Sequence, residues 1–217
     1  PLSHKFIIAL NHINEPLMDK RLPVFLKELE DKLPNVEVHM ISNGYLLNQE
    51  NIEMLNSFSN ISLLHVSLNE VSEQAHNTAM GMKGKFQQIL LNLDDLHDKK
   101  RNKNFKAEVI IRRVGDYTSS DSDFISFCKE RWPEFTAASR GMKDFLGQIQ
   151  RGTRGLPVCK KLESSSVAVA GCTQWFHLVI SASGKVAHCC FDGDVEWPIG
   201  DVSKQSVLNV YQQSMQN

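Results

Sequence analysis

Residues 36–47 read VEVHMISNGYLL, a short apolar run that stops at Ser42-Asn43-Gly44. The run has the length and residue types of a strand, and serine, asparagine and glycine are residues that turn a chain. Working outward, the same grammar recurs. Apolar runs lie at 5–10 (KFIIAL), 61–68 and 107–114, and the set is rich in Ile, Val and Leu without strict alternation, as strands covered on both faces should be. Between them lie segments with one apolar stripe at helical spacing. Leu22, Phe25, Leu26, Leu29 and Leu33 form the first, closed by Pro34, and Ile52, Leu55 and Phe58 form the second, with Asn48 as its cap. Phe86, Ile89, Leu90, Leu93 and Leu96 form the third and clearest stripe. Phe124, Phe127, Cys128 and Trp132 form the fourth, opened by the capping-box pattern Ser120-x-x-Asp123. Strand, helix, strand at this spacing is the βαβ unit, whose right-handed crossovers build a parallel sheet. The expected class is therefore α/β, with ligands at the carboxyl ends of the strands.

After residue 140 the pattern changes. Residues 141–158 are rich in Gly and Arg and read as a junction. Runs at 175–181 and 185–190 then flank Ser183-Gly184 and predict a hairpin, with Gly184 as the left-handed turn residue. A last helix carries Val207, Leu208, Val210 and Tyr211. The basic stretch 99–106 reads as a solvated loop.

The 217 residues are 41% hydrophobic and 23% charged, a globular mix that excludes disorder and collagen-like repeats. A net charge of -1 argues against nonspecific nucleic-acid binding, which needs a positive field, and favours a small-molecule or protein substrate. No apolar run reaches the length of a membrane span and no signal pattern opens the chain, so the expected location is the cytoplasm, with no membrane partner. The chain opens at Pro1 directly on a core strand and reads as a piece of a longer protein.

Polar residues follow each strand: Asn14-Glu15-Pro16, Ser42-Asn43-Gly44, Ser67-Leu68-Asn69 and Arg112-Arg113. One such group is an ordinary turn or cap. Four at successive strand ends converge on one crevice, where a carboxylate, hydroxyls, an amide and a guanidinium suit a ligand carrying both an ammonium and a carboxylate.

Of five cysteines, four (Cys159, Cys172, Cys189 and Cys190) crowd the last third of the chain, which suggests metal rather than disulfides. Cys172, Gly184 and Cys189 make C-x11-G-x4-C around the hairpin. Thiolates ligate zinc and iron–sulfur clusters, and the competing reading is four buried small hydrophobes. Cys190 would face away from Cys189 on an extended strand, so one of that pair is expected to ligate. Cys128 lies on the apolar stripe of a helix and reads as core.

The strand ends N-E-P-L (14–17), S-N-G-x-L-L (42–47) and V-S-L-N (66–69) resemble the G-E-P-L, T-N-G and strand-four serine motifs of the radical S-adenosylmethionine enzymes. The tail C-x11-G-x4-C-C-x-D (172–192), then I-G-D-V (199–202) and S-V-x-x-V-Y (206–211), looks like the SPASM or twitch extension of that superfamily, which holds an auxiliary 4Fe-4S cluster. The resemblance implies a partial (β/α) barrel over 1–140 and a cluster-bearing extension over 159–217. It further implies S-adenosylmethionine contacts at Glu15 (amino group), Ser67 and Asn69 (ribose or carboxylate) and Arg112 (carboxylate), and auxiliary-cluster ligands among Cys159, Cys172, Cys189 and Cys190.

The implied activity is reductive cleavage of S-adenosylmethionine, with an electron donor, to a 5′-deoxyadenosyl radical that abstracts hydrogen from a peptide or small-molecule substrate. No three cysteines here have the family's C-x3-C-x2-C spacing, so the radical cluster's ligands are expected upstream of Pro1 and the chain alone is expected to be inactive. The alternative is a non-catalytic α/β binding protein with a structural zinc module.

Overall fold

The computed structural model describes residues 6–81, 83–115, 117–141 and 177–214. The chain forms two compact units, Pro1–Gly141 and Met142–Asn217.

In the first unit the strands are β1 (Phe6–Ala9), β2 (Val36–Ser42), β3 (Ile61–Ser67), β4 (Glu108–Gly115) and β5 (Thr136–Gly141). They form one sheet in sequential order, every neighbouring pair parallel. Helices α1 (Leu22–Lys32), α2 (Gln49–Asn56), α3 (Glu73–Met80), α4 (Phe86–Arg101) and α5 (Ser119–Arg131) make the crossovers. A sequential parallel order with helical returns is the barrel-like α/β arrangement.

Burial alternates along β2 and β4 and thereby separates two faces. Val36, Val38, Met40, Leu64, Val66, Val109 and Ile111 are buried against the helices, joined by Leu26, Ile52, Leu55, Ile89, Leu93, Leu96 and Phe124. Asn48 caps α2 as expected, its Oδ1 accepting from Asn51 N at 2.9 Å.

Several elements depart from the sequence reading. α3 and β5 have no counterpart in the apolar pattern, because each is short and polar in composition. The cap of α5 is Thr118 rather than Ser120: its hydroxyl accepts from Ser120 N, and Asp121 reaches back to Tyr117 N at 3.0 Å. The box therefore sits two residues earlier, because it is Asp121 that also approaches Arg113 Nε, at 3.3 Å. The stretch 99–106 is likewise not all loop, since Lys99, Lys100 and Arg101 form the last turn of α4, where cations complement the helix dipole.

The second unit carries a three-stranded antiparallel sheet, β6 (Val179–Ile180), β7 (Lys185–Ala187) and β8 (Pro198–Asp201), and the helix α6 (Val207–Ser214). The hairpin turns at Gly184 with φ +83. β8, in the I-G-D-V stretch, adds a third strand to the expected two. β7 also ends at Ala187, so the expected strand through Cys190 is corrected: residues 188–191 turn.

Candidate functional site

Parallel pairing places all five carboxyl ends on one edge of the sheet. Just past β1, Glu15 sits half-buried at the head of a 3-10 turn, Pro16–Met18. Its Oε1 accepts from Leu17 N at 3.2 Å and its Oε2 from Asn43 N at 2.7 Å, so one carboxylate laces the exit of β1 to the exit of β2. A carboxylate held by two N–H groups keeps lone pairs free for an ammonium.

The Ser42-Asn43-Gly44 turn is held from within and from behind. Ser42 Oγ accepts from Gly44 N at 3.0 Å and Asn43 Oδ1 from Tyr45 N at 2.9 Å. Gly44 has φ +80, and a Cβ there would meet Val66 Cγ1 at 3.0 Å and Ile89 Cγ2 at 3.1 Å, so glycine is required twice over. Asn92, buried in the apolar stripe of α4, donates to the carbonyls of both Gly44 and Tyr45 at 2.9 Å. A polar residue inside that stripe is the one sequence signal for this support, and the strand-end reading does not use it.

Ser67 pairs in register with Arg112, so these two expected residues are neighbours on the same face. Asn69 is otherwise committed. It takes a left-handed φ of +65, accepts from Val114 N at 2.7 Å and points its amide at Met80 Sδ, tying β3 to β4 and α3. Arg112 and Arg113 part company, because they lie within β4 rather than after it. Arg113 is 4% exposed on the helix side, donating to Ser120 O at 2.7 Å, while Arg112 takes the opposite face. On Arg112's face lie His65, two residues before Ser67, and Arg140, two residues beyond Arg112's partner Ala138. Burial, then the Arg112 and Arg140 guanidiniums, push His65 down to about 4. Burial and Arg140 bring Arg112 down to about 10. Neither His65 nor Arg140 stands out in the sequence; only the register brings them beside Arg112.

In the second unit Cys189 and Cys190 are half-buried in the turn after β7. Phe191 N donates to Cys189 Sγ at 3.4 Å, an arrangement that suits a thiolate. Asp192, the aspartate of C-C-x-D, is fully buried, and its two oxygens accept from Glu196 N and Trp197 N at 2.8 and 2.9 Å. This carboxylate fixes the loop 192–197 that follows the cysteines. Two thiols in a partly open turn fit ligation of an iron–sulfur cluster. Cys128 does not: it is 1% exposed, and burial pushes its thiol up to about 12. Cys159 and Cys172 lie outside the described residues, and among the described residues no three His, Cys, Asp or Glu side chains gather as a metal site.

Residues 12–130 match the family model described as the Radical SAM superfamily, and residues 172–217 match that of an iron-sulfur cluster-binding domain. Similar solved structures include BtrN in complex with AdoMet and 2-DOIA, with TM-score 0.59 and 15% identity over 97% of this chain and 64% of that one. Hexahistidine-tagged anSMEcpe with bound AdoMet gives TM-score 0.63 and 16% identity, covering 97% and 65%. Native anSMEcpe with bound AdoMet and the Kp18Cys peptide gives TM-score 0.63 and 16% identity, covering 98% and 68%. The chain thus spans about two thirds of the length of the structures it resembles. No curated protein matches.

Proposed function

The chain belongs to the Radical SAM superfamily, a family of enzymes that use AdoMet and 4Fe-4S clusters, and from that premise we propose that it binds AdoMet along the strand-end rim and acts on a peptide or small-molecule substrate. The observation that carries the reading is the Glu15 carboxylate bridging two strand exits beside a tight Ser-Asn-Gly turn. In this reading Glu15 receives the ammonium of AdoMet through its unused lone pairs. Ser67 lies near the ribose or carboxylate, and Arg112, its register neighbour, faces the carboxylate. Asn69 acts behind them by holding β3 and β4 in place.

The cluster and AdoMet together supply the reducing electron and the hydrogen-abstracting chemistry; the chain's own residues bind and orient. Cys189 and Cys190, with Cys159 and Cys172, are the proposed ligands of an auxiliary 4Fe-4S cluster, with Asp192 fixing the loop that follows the first two. The C-x3-C-x2-C that would hold the radical cluster is absent from these 217 residues, so they are inactive without it. A cellular electron donor is required. The near-neutral charge favours neither nucleic acid nor a membrane surface, and no described helix is long and apolar enough to cross a membrane. Thiol ligands point to the cytoplasm.

The test is anaerobic reconstitution of the intact protein with iron and sulfide. Near-visible cluster absorbance and reductant-dependent release of 5′-deoxyadenosine from AdoMet are expected. Zinc bound in place of iron, with no AdoMet cleavage, would overturn the reading.

A further inference from the structure

The sheet face away from the helices brings two guanidiniums and an imidazole together on three adjacent strands. Register places His65 on β3, Arg112 on β4 and Arg140 on β5 on that face, each on a strand adjacent to the next. His65 is 4% exposed, with an Nε2 that has no hydrogen-bond partner, and the Nε of Arg112 is likewise buried and unpartnered. Among the described residues, no ion pair joins Arg112 or Arg140 to a carboxylate. Arg112 and Arg140 both bear on His65, and Arg140 bears on Arg112. The imidazole is neutral, but the two guanidiniums, Arg112 half-buried and Arg140 exposed, repel each other, and an anion between them would offset that repulsion.

Geometry separates this cluster from the cofactor's amino-acid end. Glu15 is bonded to the exit of β2, and β5 lies three strands further on, about 14 Å at the ordinary interstrand spacing. The ammonium and carboxylate of an α-amino acid sit on one carbon. A carboxylate within reach of Arg112 can therefore belong to a molecule whose ammonium is on Glu15, whereas Arg140 is left for a different anion.

We propose that Arg140, with Arg112 and His65 beside it, forms a subsite for an anionic oxygen group, carboxylate or phosphate, of the substrate. The inference rests on the radical-enzyme reading above. Guanidinium binds both oxyanions through paired N–H donors, so the chemistry is shared and the probe must separate the two.

The experiment titrates the intact, iron-loaded protein at low ionic strength with inorganic phosphate and, separately, with acetate, in the presence and absence of AdoMet. The tighter of the two names the group. Binding that persists with AdoMet bound is expected. Arg140→Gln should weaken it at least about tenfold, the loss expected for a charge-assisted hydrogen bond, while leaving AdoMet affinity within about twofold. Arg140→Lys should restore part of the binding, which shows that the loss is of charge and not of fold. Anion binding that is absent from the wild type or indifferent to Arg140→Gln overturns the proposal. So does competition between the anions and AdoMet with an equal loss of AdoMet affinity in Arg140→Gln, an outcome that assigns the cluster to the cofactor and leaves the enzyme reading intact. Failure of the wild type to cleave AdoMet removes the premise itself, and this is read independently of the anion titration.

Discussion

Leu26, Met40, Leu64, Val66, Ile89 and Phe124 are buried together in the first unit, whereas the described part of the second buries only Val186, Ala187, Val195 and Val210 as apolar core. The first unit is held by a continuous apolar layer between sheet and helices, which gives it stability of its own. The described part of the second, residues 177–214, relies on short strands, one turn at Gly184 and the Asp192 carboxylate, and so small a core ordinarily needs a staple. A cluster bound through its thiols is such a staple, because metal binding free energy becomes folding free energy. The contrast teaches that cofactor loss and core damage should strike different halves of the chain.

The largest effect tests the staple. In the iron-reconstituted intact protein, Cys189→Ala is expected to lower bound iron by about one cluster and to expose the second unit to protease, while Cys128→Ala leaves iron unchanged. Equal losses of iron would erase the distinction between a ligand thiol and a core thiol. The converse damage is Phe124→Ala, expected to cost about 3–5 kcal/mol in urea unfolding of the first unit with iron content retained. A joint loss of both would show that the two units do not stand apart.

A pH titration sharpens the contrast. His65 titrates near 6.5 when unfolded and near 4 when folded, so between those values the unfolded chain takes up a proton that the folded one refuses. Stability of the first unit is thus complete above pH 6.5 and falls by up to about 3 kcal/mol as pH drops to 4. Urea midpoints of wild type and His65→Gln across that range check it, since the variant should be flatter by that amount.

On the other side, Asp192→Ala is expected to cost about 2 kcal/mol of local stability. The readout is faster amide exchange at Glu196 and Trp197, with β2 unaffected. The smallest change, Asn48→Ala, removes one helix cap and about 1 kcal/mol, measured by thermal unfolding of the first unit.

The first four strands, five of the six helices, the cap at Asn48 and the hairpin turn at Gly184 were legible because each is written in a few consecutive residues. β5, with its sequence TAASRG, carries no apolar run, and it is a strand because β4 offers it a free edge. The site was legible only in part. Glu15 and Ser67 stand where the strand-end reading put them. Asn69 keeps its place, but its side chain is spent on Val114 and Met80, and that could not be seen without its left-handed backbone.

The sequence by itself determined the β/α alternation, the parallel class, the edge on which the polar residues lie and the crowding of thiols in the last third of the chain. Apolar period, caps and thiols are properties of a residue and its near neighbours. Only the tertiary structure decided that Arg112 and Arg113 face opposite ways, that His65 and Arg140 flank the former, that Asn92 braces a turn from another element, and that Cys189 and Cys190 sit in a bend rather than on a strand. Those facts depend on register between strands distant in sequence. A shift of one residue there would turn every side chain of a strand to the other face.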